Sequence, residues 1–305
     1  MSWTISRRRF LLSSSVLTGA IFLAPKSLFS QSKQPSIRFG VLTDSHYANR
    51  PESGTRFYRQ SIEKLEACVE VLNKEKVDFA IHLGDLKDQD EQKQEVDTLR
   101  YLSEIEGAFA KFNGPRYHCI GNHDVDSISK KQFLEGVENT GIPKDQGHYS
   151  FDLNGFHFIV LDPNYHPDGS HHNHGDFKWS EAIIPEGQWK WFEQDLEKTT
   201  LPTVVFCHFT LYNFTRDNDP FYVTDFERAQ KLMEKSGKVL AVLQGHVHQE
   251  DFQTINGIHY ITQLGMVDHD GLDNNSFAIV EIDQNGLVIN GYKRSTSHKF
   301  SLAKK

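Results

Sequence analysis

Cysteine is scarce in this 305-residue chain, which has only Cys68, Cys119 and Cys207. The number is odd and each sits among apolar neighbours, so a disulfide framework is not expected and small buried hydrophobes are. Positive charge is also in deficit. Lys and Arg total 33 against 41 Asp and Glu, a formal charge of −8. Proteins that coat nucleic acid gain affinity by neutralising phosphates with basic side chains, so no stable nucleic-acid binding is expected. No long hydrophobic run exists. The most apolar stretch, residues 12–24, is too short and too rich in serine for a comfortable membrane span. Internal repeats are lacking, as is any Pro/Gly/Ser-rich linker dividing the chain. What remains, 38% hydrophobic and 24% charged, is the composition of an ordinary globular protein.

The N-terminus differs from the rest. "SRRRFLL" (Ser6, Arg7, Arg8, Arg9, Phe10, Leu11, Leu12) precedes the moderately apolar run and a small-residue exit. That is the order of a secretory signal, and paired arginines before Phe-Leu point to the twin-arginine route. An uncleaved anchor or a chance basic cluster is the alternative. The expectation is a signal over residues 1–30 cut near Ser30, with the twin-arginine export machinery as partner and a periplasmic or secreted location. Loss of Arg7, Arg8, Arg9 and Lys26, with no acidic residue among them, would take the charge from −8 to −12.

From Pro35 the pattern runs strand, helix, strand, helix. Strands are expected over residues 37–43 and 77–83, and helices over residues 56–74 and 91–112, where apolar groups recur at spacings of three and four (Tyr58, Ile62, Leu65, Val69, Leu72; Leu99, Leu102, Ile105, Phe109). "HYSFDLNGFHFIVLD" reads as a hairpin around Asn154-Gly155, because Asn-Gly suits a two-residue turn. Further helices are expected over residues 185–196 and 224–235 and strands over 203–209 and 238–244. Hairpins turning at Asn256-Gly257 and Asn285-Gly286 close the chain. The simplest arrangement is one α/β domain over residues 36–298, with two packed sheets flanked by helices.

Polar donors gather at successive strand ends, where α/β sheets place their ligands. These are Asp44 and His46 ("LTDSH"), Asp85 ("GDLKD"), Asn122 and His123 ("GNHD"), His208 ("VFCHF"), then His246 and His248 ("GHVH"). Any one block is weak, since a lone histidine at a strand end is commonly structural. Five in order, three of them opened by a glycine that permits close backbone approach, are not.

With these blocks the sequence resembles the calcineurin-like metallophosphoesterases, whose pattern is D-x-H, G-D-x-x-D, G-N-H-D/E, H and G-H-x-H. The resemblance covers essentially the whole chain after the signal segment. It implies a four-layer α/β/β/α sandwich of two mixed sheets with a two-metal centre at the strand ends. Carried over, Asp44, His46 and His248 hold one ion, Asn122, His208 and His246 the other, and Asp85 bridges them. Imidazole with carboxylate suits Mn, Fe, Zn or Co, in divalent or trivalent form. The implied chemistry is attack of a metal-bridging hydroxide on a phosphodiester, pyrophosphate or phosphomonoester. His123 would bind a phosphoryl oxygen or protonate the leaving group, with Asp124 orienting its ring. Asp88 matches the last Asp of "GDLKD" and is expected behind the ligands. Purple acid phosphatases carry a tyrosine there and lack the first histidine, so a purple iron-tyrosinate centre is not expected.

"SGTRFYRQSIEKL" and "PEGQWKWFEQDL" are similar to the manganese-dependent ADP-ribose/CDP-alcohol diphosphatase branch, which cleaves nucleoside diphosphate compounds. That branch tolerates a different residue at the His46 position. Arg56 or Arg59 would then pair with a second phosphate, or simply open a solvated helix. Phe209, Tyr212 and Tyr222 are candidates to stack a base, or are core. The loop "NYHPDGSHHNHGD" (His166, His171, His172, His174) reads as a third metal site, a substrate lid or a polar surface excursion. A competing reading is a non-catalytic metal-binding periplasmic protein on the same fold; it has no use for His123.

Overall fold

A strand buried on both faces needs an unbroken apolar run, and several here have one: "FHFIVL", "TVVFC" and "VLAVLQ". In the computed structural model, which describes residues 36–302, such runs form the centres of two sheets. The twin-arginine segment lies outside the described residues. In chain order the elements are β1 (Ile37–Leu42), α1 (Ser61–Glu75), β2 (Phe79–His82), α2 (Glu95–Phe109), β3 (Arg116–His118), α3 (Lys130–Gly136), β4 (Tyr149–Leu153), β5 (Phe156–Leu161) and α4 (Glu186–Lys198). They continue with β6 (Thr203–Cys207), β7 (Thr215–Arg216), β8 (Asp219–Pro220), α5 (Phe226–Ser236), β9 (Val239–Gln244), β10 (Asp251–Ile255), β11 (Ile258–Thr262), β12 (Ser276–Asp283), β13 (Gly286–Lys293) and β14 (His298–Phe300).

One sheet has the order β14-β13-β12-β1-β2-β3, the other β10-β11-β9-β6-β5-β4. Both are mixed. β1, β2 and β3 run parallel, as do β5, β6, β9 and β11, while the outer strands are antiparallel. Alternation along each strand separates two sets of side chains. Phe39 and Val41 of β1 face Phe158, Val160, Phe206 and Leu243 across the gap between the sheets. On the outer faces, Leu65, Leu72, Ile105 and Phe109 of α1 and α2 cover the first sheet, and Trp189, Phe192 and Met233 of α4 and α5 cover the second. Three apolar interfaces between four layers give the α/β/β/α sandwich. Cys68, Cys119 and Cys207 are buried, one in each interface.

Boundaries shift where local contacts override periodicity. α1 begins at Ser61, not residue 56, because Phe57 N–H donates to Val267 O (2.9 Å) and Ser53 pairs with Arg56, holding that segment as a loop over the strand ends. α2 begins at Glu95, since Lys93 sits at φ 37° and interrupts any earlier turn. α3 was not expected; Ser129 caps it through a reciprocal bond with Gln132. Asn154-Gly155 and Asn256-Gly257 both adopt positive φ, as their hairpins require. The last hairpin differs: Asp283 pairs with Gly286, so the turn is Gln284-Asn285, one position earlier than expected. β14 carries the sheet to Phe300, past the expected limit of residue 298.

Candidate metal centre

Parallel strands place their C-terminal ends on one edge, and the loops that follow are laced together there. Asp44 N–H donates to Gly84 O (3.0 Å) and His46 N–H to Asp85 O (2.9 Å), joining the β1 and β2 loops. Gly245 N–H donates to His208 O (3.0 Å), joining the β9 and β6 loops. Across the sheets, His246 N–H donates to Asp44 Oδ2 (3.1 Å). The turns are so tight that Asp44, His46, Asp85, His246 and His248 all have positive φ, a backbone region in which Asp, Asn and His are enriched among non-glycine residues. At Gly245 a Cβ would lie 2.1 Å from Thr43 Oγ1, so only glycine lets the β9 loop approach β1.

The expected ligands converge in two groups. His248 Nε2 lies 3.3 Å and His46 Nε2 3.6 Å from Asp44 Oδ1, and the two imidazole nitrogens are 3.1 Å apart. In the second group His208 Nε2 is 3.2 Å from His246 Nδ1. Asp85 joins them: its Oδ2 is 3.4 Å from His46 Nε2 and 3.2 Å from His208 Nε2. Asn122 is buried beside them, and its Oδ1 has no hydrogen-bond partner.

The opposite ring nitrogens are tied down. His46 Nδ1 faces Asp88 Oδ2 (3.1 Å), His248 Nδ1 faces Asp268 Oδ2 (2.7 Å) and His208 Nδ1–H donates to Leu83 O (2.9 Å). Each bond turns an Nε2 lone pair inward, the arrangement by which proteins orient metal-ligating histidines. Lone pairs of His46 and His248 only 3.1 Å apart repel unless a cation lies between them. Ligands about 2.1 Å from one ion and at right angles are about 3 Å apart. Together with the unpartnered Asp44 Oδ1 and Asn122 Oδ1, the donor set fits two metal ions.

Electrostatics agree with that fit. Burial raises the Asp44 carboxyl, but His248 and His46 outweigh it and hold it well below the usual range. Burial likewise opposes and fails to prevent a lowered Asp85, held down by His208, His123 and His46. His208 is pushed up to about 9, Asp85 and Asp44 overcoming burial. Protons and cations therefore compete for the same atoms, and ion uptake is coupled to proton release.

His123 lines the mouth of the centre, with its Nδ1 3.3 Å from Asp126 Oδ2 and 3.5 Å from Asp88 Oδ1. Asp124 does not orient it, contrary to expectation. The Asp124 carboxylate points inward and accepts from the N–H groups of Gly121 (2.8 Å), Asp85 (2.9 Å) and Leu86 (2.9 Å). Burial and then Asp85 push it up to about 7. It fixes the β2 and β3 loops against each other. Asp126, itself paired with Lys87, takes the role expected of Asp124. Burial lowers His123, but Asp88, Asp85 and the Asp126 contact raise it well above the ordinary imidazole value.

Above the centre lies a cavity of ≈ 560 Å3. Arg56 reaches it, with Nη2 3.4 Å from His248 Nε2. Arg59 does not; its guanidinium bonds Asn49 on the surface. Arg216 and Arg294 line the cavity instead, as do Trp179 and Phe221, whose rings are 4.9 Å apart. None of these four was singled out from the sequence: Trp179 and Phe221 lie in loops, Arg216 in the two-residue strand β7 and Arg294 just after β13, all outside the blocks of metal-type donors. Phe209 is buried against His246, Tyr212 bonds Asp251 and Thr262, and Tyr222 packs on Phe226. Those three do not line the cavity. In the histidine-rich loop, His166 and His172 approach Glu181, whereas His171 packs on Tyr165 and His174 faces Ser127 O.

A model of the calcineurin-like phosphoesterase family matches residues 37–250. A manganese-dependent ADP-ribose/CDP-alcohol diphosphatase from Arabidopsis thaliana is 24% identical over 89% of this chain and 99% of that protein. One of the same name from Oryza sativa subsp. japonica is 30% identical over 44% of this chain, an alignment spanning 43% of the rice protein's length. Among solved structures, a dimetal phosphatase from Danio rerio matches with a TM-score of 0.73 at 20% identity, covering 88% of this chain and 100% of that one. A purple acid phosphatase from yellow lupin matches at 0.61 and 15%, over 88% and 53% of the two chains. At these identities the structural likeness is one of fold.

Proposed function

The chain belongs to the calcineurin-like phosphoesterase family, a family of hydrolases, and from that premise we propose that it cleaves a nucleoside diphosphate compound at its phosphoric anhydride. The observation that carries this reading is the pairing of an anionic, histidine-lined centre shared through Asp85 with a rim of three guanidinium groups, Arg56, Arg216 and Arg294. A monoester needs the centre alone. A diphosphate has a second phosphoryl group for the rim, and Trp179 with Phe221 offers an aromatic wall for the remainder of the molecule. The names of the Arabidopsis and rice relatives favour the same substrate class.

We assign Asp44, His46 and His248 to one ion, Asn122, His208 and His246 to the other, and Asp85 to both. Bound there, two cations would supply Lewis acidity toward the phosphoryl oxygens and toward water. His123 supplies the proton. Its Nδ1 is occupied by Asp126 and Asp88, so Nε2 is the nitrogen left for the leaving oxygen, and the neighbouring carboxylates shift its pKa upward, in favour of the proton-bearing form. Water adds to phosphorus, the anhydride P–O bond breaks, and the departing oxygen takes the imidazolium proton.

A panel of ADP-ribose, bis-p-nitrophenyl phosphate and p-nitrophenyl phosphate with added Mn, Fe, Zn or Co tests the assignment. ADP-ribose should turn over fastest, and turnover of the monoester alone would refute the substrate class. His123→Ala should keep its metal content and lose about 10²- to 10⁴-fold in kcat. Full activity in that variant would refute the role given to His123, whereas no turnover of any substrate in the panel by the parent would favour the non-catalytic reading. We propose further that the chain is exported by the twin-arginine route, supported by "SRRRFLL". Replacing Arg7, Arg8 and Arg9 by lysine should hold it in the cytoplasm.

A further inference from the structure

The loop between β5 and α4 contains a second set of metal donors, away from the Asp85 centre. We propose that His166, His172 and Glu181 bind a zinc-class dication that fastens this loop.

His172 carries the inference. It is fully buried, yet neither of its ring nitrogens has a hydrogen-bond partner among the described residues. Leaving a buried polar group unsatisfied costs about 1–3 kcal/mol, so such atoms are rare without an unseen partner. One face of the ring stacks on Phe177, with centroids 4.3 Å apart and planes 6° from parallel. At the ring edge, Nε2 is 4.0 Å from Glu181 Oε1, and the His166 ring centroid is 4.6 Å away. His166 is placed as a ligand would be. Its Nδ1 faces Glu181 Oε1 (3.3 Å), and on the far side its Nε2 faces Asp176 Oδ1 (3.3 Å). A carboxylate behind the ring fixes the tautomer that turns the Nδ1 lone pair inward.

One donor atom each from His166, His172 and Glu181 lies within 4.8 Å of the others, close enough to converge on one ion after small side-chain movements. Two imidazoles and one carboxylate are a zinc-type set, with a fourth position for water. His166 and Glu181 are partly exposed, which leaves an entry path. A competing explanation, a His166 ring simply bridging the Asp176 and Glu181 carboxylates, accounts for His166 but leaves His172 orphaned.

The consequence reaches the cavity. Glu181 lies two residues beyond Trp179, which lines the main cavity. An ion joining Glu181 to His166 and His172 ties the segment presenting Trp179 back to the start of the same loop. The inference does not depend on the substrate assignment.

The test is the ion count of the full chain. The protein is stripped with chelator, reloaded with Zn2+ and measured by native mass spectrometry and elemental analysis. His172→Phe and Glu181→Gln should each bind one Zn2+ fewer than the parent, whereas His248→Ala should retain the loop ion. Titration with Co2+ should reach its visible-absorption endpoint at one equivalent fewer in the two loop variants than in the parent. Glu181→Gln guards against a folding defect in His172→Phe, and circular dichroism should show both folded. Equal ion counts in the parent and both folded loop variants would overturn the proposal.

Discussion

At the scale of single residues, close approach decides which positions tolerate change. A Cβ on Gly121 would stand 2.2 Å from Asp85 Oδ1 and 2.3 Å from Asp85 N. Gly121→Ala must therefore displace the one carboxylate shared by both clusters. We expect a loss of about 1–3 kcal/mol in stability together with reduced occupancy of both ions, read by urea titration and metal analysis. Gly107, exposed on α2 with nothing within 4 Å of its added Cβ, is the control, and Gly107→Ala should gain up to about 1 kcal/mol. Loss of only one ion in Gly121→Ala would contradict a shared Asp85. Candidate ligands such as Asp44 and His246 were legible in the sequence because each follows an apolar strand within a few positions. Of the residues behind them, Asp88 was legible from "GDLKD" and bonds His46 Nδ1, whereas Asp268 and Asp126 were not. Asp268 supports His248 from 20 residues away, beyond the β10–β11 hairpin and in the loop after it. Asp126 was missed for a different reason: residues 123–125 form a 3-10 turn, whose three-residue period brings the i+3 side chain, not the i+1, beside His123.

At the scale of elements, the layers are pinned by polar ties whose pH dependence can be derived. His157 of β5 bonds Asp152 of β4 at 2.6 Å and Asp195 of α4 at 2.9 Å, linking two strands and a helix. Burial lowers its pKa, but the bonds to Asp195 and Asp152 outweigh it, and the net shift is upward. A histidine raised in the folded state stabilises the fold fully below its unfolded value of about 6.5. That stability is lost as pH rises through the folded value. The Tm of the parent should thus fall, as pH rises above about 6.5, by more than that of His157→Gln, which should cost about 1 kcal/mol at pH 6. Parallel pH curves for the two proteins would remove His157 from the account. This tie was illegible in advance because "NGFHFIVL" reads simply as an apolar strand. What the sequence did disclose at this scale was the alternation and the Asn-Gly turns, both local properties. The one misplaced hairpin turn, at Asn285, failed because Gly286 is needed opposite Asp283 in the ladder, where its φ of 152° and the close Phe300 carbonyl suit glycine.

At the scale of the whole molecule, the centre lies where the loops at the ends of the two sheets meet. Asp44, His46 and Asp85 follow strands of one sheet, and His208, His246 and His248 follow strands of the other. Direct links across the gap include His246 N–H to Asp44 and His208 to Leu83 O. Asp44, Asp85, Asp88 and Asp124 are all buried nearby, and their mutual repulsion is opposed mainly by histidines. Ions bound to donors from both sheets would both neutralise that charge and cross-link the layers. An ion present at 100 times its Kd adds about 2.7 kcal/mol to stability. For a domain of this size each kcal/mol moves Tm by about 2–4 °C. Stripping with chelator should therefore lower Tm by about 5–10 °C per ion, and added Mn2+ should restore it. Mg2+ should restore it poorly, because it prefers oxygen donors and an octahedral water shell. Asp85→Asn, lacking the shared charge, should show a smaller response to either treatment. Calorimetry in which the ions leave while Tm stays unchanged would mean that the apolar interface between the sheets holds the layers together without help from the centre.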